Sequence, residues 1–431
     1  MIIPLIQRRI TRRLLMLTFS MVTAICLRAQ TDTVTYSLNE IDKRFLDSNL
    51  NLLAAHYNVD ANRALIQQAK LWPNPFLATD QNIYADNHFF QHGKDIYGNP
   101  TGQVFVQIQQ LIQTAGKRGK QIQLATTNTH LSELQLQDLL RNLRYQLHQD
   151  YYTIAQLLAT RDMLTSQAAR LDNLQKAMQL QLQAGNVAQK DYLRIQALVI
   201  GLQQDITENN KDIVAAEQEM KMLLQENNAV FIKPADVLQN EVLPPGDVNA
   251  LVDTAKAVNA NYLLQLSQQT YATQNLSYQK ALRTPDVTLG PSYDHNSNYA
   301  PNYVGLGISL PLPLWNHNQG NIKSAELSVK QQQTEVLAAA TQLHSNITSA
   351  YQRLLLTYQQ NNATQKAFYA NYQKLFNNML QSYQQRQISL LELLDFINSY
   401  QEAQGRLLQQ QLNLQLAKEE LNYEVGTDVI K

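Results

Sequence analysis

The chain has 431 residues, a formal net charge of zero and only 16% charged residues. That length is enough for two or three ordinary domains, and 44% hydrophobic residues are enough for a packed core. A balanced charge supplies no basic face for nucleic acid. The single cysteine excludes a disulfide scaffold and any cysteine-based zinc or iron–sulfur site.

The first 29 residues have the layout of a secretory signal peptide. An arginine-rich start precedes the apolar stretch 14–25, which is too short for a comfortable membrane span, and the small residue Ala29 follows. We predict cleavage after Ala29. An uncleaved anchor is disfavoured by length, and a lipoprotein signal at Cys26 is disfavoured by Ile25, which stands where a small residue is expected. Cleavage removes five arginines and the only cysteine, which leaves a net charge of −5 and suits an oxidising compartment.

Two stretches without proline, 101–233 and 314–431, are rich in Gln, Leu, Ala and Lys and are predicted to form long helices. Residues 118–184 and 318–385 could each be one helix of 67 and 68 residues, on the order of 100 Å long. Each long helix is followed by a stretch with apolar residues at heptad spacing, which predicts coiled-coil packing. The seams are Tyr192, Val199, Ile206, Ile213 and Met220, and Leu393, Tyr400, Leu407, Leu414 and Leu421.

Four stretches near the prolines are predicted to be strands, at about 74–84, 103–111, 285–293 and 303–311. In the last, apolar residues alternate with small ones, which is typical of a membrane β-barrel strand. The predicted lipid-facing residues are Val304, Leu306, Ile308 and Leu310. A soluble hairpin is the alternative for each pair of strands. No apolar run of 18 or more residues follows the signal peptide, so no transmembrane helix is predicted.

The order of elements occurs twice, because Tyr192 and Met220 match Leu393 and Leu421 at an offset of 201 residues. We predict two structural repeats, 30–226 and 247–431, each of helix–strand–strand–long helix–helix, joined by a connector at 227–246. Four strands cannot close a barrel, since small barrels use about eight. Three chains would supply twelve strands and leave no open edge in lipid.

Over most of residues 36–427 the sequence resembles the TolC-type outer-membrane efflux family. The motifs that carry the resemblance are Leu71-Trp72-Pro73-Asn74-Pro75, Pro311-Leu312-Pro313-Leu314-Trp315, Asn318-Gln319-Gly320-Asn321-Ile322, the turn 387–395 and the ending 421–427. The second and third motifs are most similar to the heavy-metal, CzcC/CusC-like branch. One departure is Arg386, where the family often has glycine, whereas Gly185 keeps the glycine of the first turn.

The resemblance implies a mainly α-helical fold with a membrane β-barrel portion: a trimeric, twelve-stranded barrel in the outer membrane of a Gram-negative bacterium and a coiled-coil tunnel across the periplasm. It implies a passive exit duct of a tripartite efflux system for solutes or metal cations, docked to a periplasmic adaptor and an inner-membrane pump of RND type. The alternative is a soluble periplasmic or surface coiled-coil protein with a structural role. No enzyme motif is present, so we expect no catalysis, no cofactor and no resident metal.

The two turns at the far ends of the long helices, 184–191 and 386–395, are the candidate functional sites. Asp191, Glu392 and Asp395 could form acidic rings that favour cations, or could simply be acids favoured at helix starts. On the family resemblance, the adaptor contacts would be Gly185, Val187, Ile388, Ser389 and Leu390.

Two further clusters have a functional and an ordinary interpretation. Lys117, Arg118 and Lys120 could mark the inner membrane interface or be a solvated helix start. His88, His92 and His295 could make an exposed metal contact, but polar loop residues are the better interpretation.

Overall fold

The computed structural model describes residues 32–85, 87–226, 230–236, 238, 244–297, 300–361 and 363–430. The predicted signal peptide, Cys26 and parts of the connector lie outside these residues. Nine helices occur in the described residues: α1 (Leu38–Ser48), α2 (Leu50–Lys70), α3 (Lys117–Gln183), α4 (Gln189–Leu224), α5 (Val248–Val258), α6 (Ala260–Leu282), α7 (Gln319–Gln360), α8 (Ala363–Gln384) and α9 (Leu390–Val425).

The described residues also form ten strands. They are β1 (Asp32–Tyr36), β2 (Phe76–Gln81), β3 (Tyr84–Ala85), β4 (His88–Phe89), β5 (Gly93–Lys94), β6 (Pro100–Thr101), β7 (Val104–Ile112), β8 (Val230–Pro234), β9 (Val287–Asn296) and β10 (Pro301–Ser309). The pairs β3–β4 and β5–β6 lie between β2 and β7, where the sequence predicted only a polar loop.

Helix α3 is continuous for 67 residues, on the order of 100 Å at 1.5 Å per residue. The prediction of a second single helix over 318–385 is wrong, because α7 ends at Gln360 and α8 begins at Ala363. The break falls at Asn361, and asparagine is a weak helix former because its side chain competes for backbone hydrogen bonds. The Asn361 N–H donates to Tyr358 O at 3.0 Å, a tightened last turn that ends α7.

The chain divides into two compact units, each built from separate segments. The first contains residues up to 51, 140–251 and 346–431, and the second contains 52–139 and 252–345. Each unit therefore takes segments from both halves of the sequence. The two repeats over 30–226 and 247–431 stay a prediction, and the boundaries of the compact units do not coincide with theirs.

The first unit is helical, and its core follows the heptad seams. Ile195, Val199 and Leu202 of α4 pack in one cluster with Leu393 and Tyr400 of α9. All five side chains are at most 5% exposed. Burial of each large apolar side chain is worth about 1.5–3 kcal/mol, so these seams hold the helices together. A parallel pair that the sequence did not predict, β1 with β8, completes this unit.

The second unit contains a four-stranded antiparallel sheet in the order β10–β9–β7–β2. The register places Leu77 beside Ile108 and Leu306 beside Pro291 on one face. Gly307 lies beside Gly290 on the other face. Strands β2 and β10 are the two edges of the sheet. No helix in the described part of the chain is both long and apolar enough to cross a membrane.

Candidate functional site

The two predicted turns have the same hydrogen-bond pattern. After α3, the Gly185 N–H donates to Leu182 O at 3.0 Å and the Asn186 N–H donates to Gln181 O at 2.9 Å. After α8, 201 residues later, the Arg386 N–H donates to Tyr383 O at 2.9 Å and the Gln387 N–H donates to Ser382 O at 2.8 Å. This is the Schellman ending of a helix, which needs one residue in the left-handed conformation. Gly185 and Arg386 supply that residue, with φ of 75° and 57°.

The five residues predicted to contact an adaptor divide into an exposed and a packed group. Gly185 and Ser389 are exposed at the surface of the turns. Val187 and Ile388 pack partly buried against the helical core, and Leu390 is a member of it at 9% exposure. The apolar residues therefore fix the shape of the turns, while the backbone and the polar side chains form their exposed surface.

The helices after the two turns begin differently. Ser389 caps α9: its Oγ accepts from the Glu392 N–H at 3.3 Å, and the Glu392 carboxylate accepts from the Ser389 N–H at 2.7 Å. This reciprocal arrangement is a capping box. Helix α4 has Ala188 at the corresponding position and no side-chain cap. The second turn is therefore anchored more firmly than the first.

The three acids predicted at the entrance have different surroundings. The hydrogen bond from the Ser389 backbone lowers the pKa of Glu392, so this exposed residue is both a helix cap and a negative charge. Asp191 has the corresponding position in α4 and is half-buried. Burial raises the pKa of Tyr383, and the charge of Asp191 raises it further, which places this carboxylate near the end of α8. Asp395 is exposed one turn further along α9.

One face of the four-stranded sheet is apolar and exposed in the chain. Val304, Leu306 and Ile308 are 75%, 66% and 63% exposed, and Leu310 just beyond β10 is 46% exposed. On β2 and β7, Leu77 and Ile108 continue the face at 61% and 52% exposure. Exposed apolar residues that are contiguous mark an interaction surface rather than ordinary surface variation.

The opposite face of the sheet is lined mainly by small and polar side chains, with Phe105 and Leu111 of β7 as apolar exceptions. Gln107 Nε2 donates to Gly290 O at 3.2 Å, and Gln109 Nε2 donates to Gln107 Oε1 at 2.6 Å. A Cβ at Gly290 would lie only 2.8 Å from Gln107 Nε2, so a larger residue there would displace the end of the Gln107 side chain. The two faces therefore differ sharply in polarity, as the alternation in the sequence predicts.

The basic residues at the start of α3 do not form a solvated cluster, which corrects that expectation. Lys117 is 4% exposed, and its ammonium lies 2.8 Å from Asp286 Oδ1. The Arg118 guanidinium lies 4.8 Å from the centroid of the Trp72 ring, and Lys120 donates to Ser277 Oγ at 2.7 Å. Each cation is held by its own partner, so the group fixes the helix start within the second unit.

His88, His92 and His295 are exposed at the surface. His295 Nδ1 lies 3.0 Å from Asn302 Oδ1 and 3.4 Å from the Tyr293 hydroxyl. In the part of the chain that is described, no group of three or more His, Cys, Asp or Glu side chains has the arrangement of a metal site. His88 lies in β4 and His295 lies in β9, so two of the three are strand residues, which corrects their assignment to loops.

A buried charge cluster in the first unit was not singled out from the sequence. His148 is 5% exposed and lies between two carboxylates, 2.8 Å from Glu419 and 2.9 Å from Asp42. Burial alone would lower the pKa of His148, but hydrogen bonds to Asp42 and Glu419 outweigh it and raise the pKa to about 9. Arg144 adds a 2.8 Å ion pair to Asp42. Since the partners are 106 and 271 residues away, no local pattern could have indicated this cluster.

Comparisons with known proteins agree with this geometry. The family described as "Outer membrane efflux protein" matches residues 43–225 and 248–427. The cobalt-zinc-cadmium resistance protein CzcC of Cupriavidus metallidurans is 21% identical over 363 residues, covering 84% of this chain and 83% of CzcC.

Two solved structures share the fold. A crystal structure of CusC has a TM-score of 0.73 at 16% identity, covering 92% of this chain and 94% of CusC. The outer membrane protein VceC from Vibrio cholerae has a TM-score of 0.72 at 14% identity, covering 90% of this chain and 96% of VceC. The alternative of a soluble coiled-coil structural protein is not favoured by these matches. The chain therefore belongs to the outer membrane efflux protein family and serves as an outer-membrane efflux channel.

Proposed function

We propose that three copies of this chain form a passive exit duct that joins the periplasm to the cell exterior. The observation that carries the proposal is the four-stranded sheet with one apolar, exposed face and one small, polar face. A sheet that faces lipid outside and water inside requires this division of side chains.

The edges of the sheet indicate that one copy is not enough, and the family resemblance implies three. Strands β2 and β10 have no strand neighbour on their outer sides within the sheet. Unpaired backbone groups are not tolerated in lipid, so each edge must pair with another chain. A ring in which β2 of one copy pairs with β10 of the next closes with twelve strands from three chains. Its interior would be lined by Gln107, Gln109 and the glycines opposite them.

The helices of the first unit supply the periplasmic tunnel in this proposal. The turns after α3 and α8 would lie at its entrance, where Gly185 and Ser389 present their polar surface to a periplasmic adaptor. Val187, Ile388 and Leu390 would hold those turns in shape from beneath. Nothing in the described residues resembles a nucleotide site, and energy would come from an inner-membrane pump, for which we propose the RND type.

The solutes proposed for the duct are metal cations or other small molecules. The likeness to CzcC supports metal cations. Three copies would place rings of Asp191, Glu392 and Asp395 near the entrance, and charged rings favour ions of opposite sign. Such rings attract cations without binding them tightly, which suits a duct.

The experiment compares two substitutions on opposite faces of β10. Leu306→Asp places a charge on the proposed lipid face, where it should cost several kcal/mol and block membrane assembly. Ser309→Asp places the same charge on the polar face and should assemble as the wild type does. The readout is the amount of detergent-extracted outer-membrane oligomer. Equal assembly of both variants would contradict the orientation of the sheet.

A further inference from the structure

The exposed apolar face of the sheet continues beyond its two edge strands, toward the helices. After β10, Leu312 and Leu314 are 69% and 64% exposed and Trp315 is 85% exposed. Before β2, Leu71 and Trp72 are 61% and 58% exposed. Because neighbouring strands of the sheet are antiparallel throughout, β2 begins and β10 ends at the same end of the sheet. We call these five residues the apolar collar.

The composition of the collar is typical of one depth in a membrane. Tryptophan is enriched at the boundary between hydrocarbon and water, and aromatic girdles flank the apolar band of membrane sheets. Trp72 and Trp315 are the only tryptophans of the chain. The Arg118 guanidinium lies 4.8 Å from the centroid of the Trp72 ring, so a cation is held at the collar itself.

The segments that join the sheet to its helices carry an excess of positive charge. These four segments, 64–75, 113–124, 275–286 and 310–326, all lie at the end of the sheet that bears the collar. Together they contain seven Lys or Arg residues and only two acids, whereas the whole chain has 35 of each sign. The excess is therefore local to this end of the sheet.

The two acids of these segments leave most of the positive charge uncompensated. Asp286 is paired with the buried Lys117, at 2.8 Å. Glu326 lies 3.9 Å from both Lys280 and Lys323, so one carboxylate serves two ammonium groups. The side chains of both lysines are more than half exposed.

The helix dipole explains only part of this pattern. Lys70 is the last residue of α2 and Arg283 caps the end of α6, and both are exposed. A helix C-terminus favours cations, which accounts for these two positions taken alone. Arg118 and Lys120 lie in the first turn of α3, where the same dipole disfavours positive charge. An anionic partner at this level accounts for all of these cations.

We propose that the apolar collar and the cations beside it bind anionic phospholipids in the leaflet nearer the helices. The inference rests on the proposed exit duct, in which the apolar face of the sheet meets lipid. Acyl chains would cover Leu312 and Leu314, and the lipid phosphates would lie against Lys70 and Arg283. The occupant is lipid rather than a protein, because the collar is continuous with the face that the duct presents to lipid.

The test uses the two tryptophans of the collar as reporters. The full mature chain is reconstituted into phosphatidylcholine vesicles that contain a fixed minor fraction of dibrominated phosphatidylglycerol or dibrominated phosphatidylcholine, since bromine quenches nearby tryptophan fluorescence. Brominated phosphatidylglycerol should bind with at least about threefold higher apparent affinity, because cations near an anionic surface attract it. The preference should fall as salt is added.

The two brominated lipids separate the inference from the proposed function. Equal quenching by both lipids would overturn the preference for anionic phospholipid and leave the exit duct in place. Quenching by neither lipid would put the tryptophans outside the bilayer, and would contradict the orientation of the sheet together with the inference.

Variants connect the preference to the helix ends. The triple variant Lys70→Gln, Arg283→Gln, Lys323→Gln should reduce the preference to about onefold without changing the quenching by brominated phosphatidylcholine. A matched control removes the same charge from exposed positions of the helical unit, and should keep the wild-type preference: Lys176→Gln, Lys211→Gln, Arg406→Gln. A wild-type preference in the first variant would overturn the assignment, and native mass confirms that both variants are assembled.

Discussion

Gly185 and Arg386 adopt the same left-handed backbone conformation at corresponding positions, 201 residues apart in the chain. A side chain in this conformation is strained by roughly 1–2 kcal/mol, whereas glycine is not. Nothing lies within 4 Å of a Cβ built on Gly185, so the difference between the two turns is a matter of backbone strain rather than space. The chain therefore carries strain in the second turn that it avoids in the first.

This strain predicts opposite effects of two exchanges. Arg386→Gly should raise the free energy of unfolding by about 0.5 kcal/mol, because relief of strain exceeds the added flexibility of the unfolded chain. Gly185→Arg should lower it by about 1 kcal/mol. Denaturant unfolding of the detergent-solubilised protein measures both. A loss of stability in Arg386→Gly would mean that the arginine side chain makes a stabilising contact at the turn.

The unequal helix caps give a second prediction. Ser389→Ala should destabilise α9 by about 1 kcal/mol, since it removes the acceptor for the Glu392 N–H. Ala188→Ser should stabilise α4 by up to about 1 kcal/mol, because Ala188 has the same extended conformation but no side-chain cap. Hydrogen exchange of the first turns of α4 and α9 checks each change locally. Equal exchange in Ser389→Ala and the wild type would contradict the role of the cap.

The buried His148 predicts a dependence of stability on alkaline pH. Its pKa is raised from 6.5 in the unfolded chain to about 9 in the folded protein. Between pH 6.5 and 9 the folded state therefore binds more protons than the unfolded state. The stabilisation from protonated His148 is complete below about pH 6.5 and is lost as the pH rises through about 9. The free energy of unfolding should fall by about 3 kcal/mol at most, because each unit of pKa shift corresponds to about 1.36 kcal/mol.

Unfolding curves from pH 6 to 10 test this dependence. His148→Gln should remove the slope between pH 6.5 and 9. At pH 7 this variant should also be less stable by about 3 kcal/mol, since the buried Glu419 carboxylate would lose its 2.8 Å contact with the imidazolium and keep only Lys418, at 3.6 Å, as a cationic partner. His130→Gln is a control, because His130 is 59% exposed at the side chain. If His148→Gln keeps the wild-type slope, another group is responsible for it.

The proposed entrance rings predict a change in ion selectivity. The double variant Glu392→Gln, Asp395→Asn should reduce the preference for cations, and Gln at position 392 can still complete the capping box. The measurement is the reversal potential in planar bilayers under a salt gradient. Glu402→Gln removes one charge from the same helix further from the turn and should have a smaller effect. Unchanged selectivity in the double variant would place these acids outside the conduction path.

Local periodicity predicted much of the fold, whereas partners distant in the sequence could not be predicted. The heptad spacing of Val199 and Tyr400 reports which side of a helix is buried, and both residues are in the core. The ion pair of Lys117 with Asp286 joins residues 169 apart, so no spacing rule relates them. The parallel pairing of β1 with β8 was missed for the same reason. The break after Gln360 was missed because the apolar pattern of α7 masked two weak helix formers.

The positions of the two turns could be predicted from the sequence, but not how their residues pack. The offset of 201 residues pointed to both turns, because two matching heptad seams should be preceded by helix reversals at corresponding positions. It could not show that Leu390 belongs to the core or that Glu392 is a cap, since both depend on how the chain packs around the turn. The cluster around His148 has no counterpart in any local motif.

The native mass of the particle extracted from the outer membrane with detergent tests the proposed exit duct directly. We expect a detergent-dependent trimer, because each sheet edge must pair with another chain and the family resemblance implies three copies. A monomer or dimer that stays soluble without detergent would contradict it, since the apolar face around Leu306 would then have no lipid to cover it.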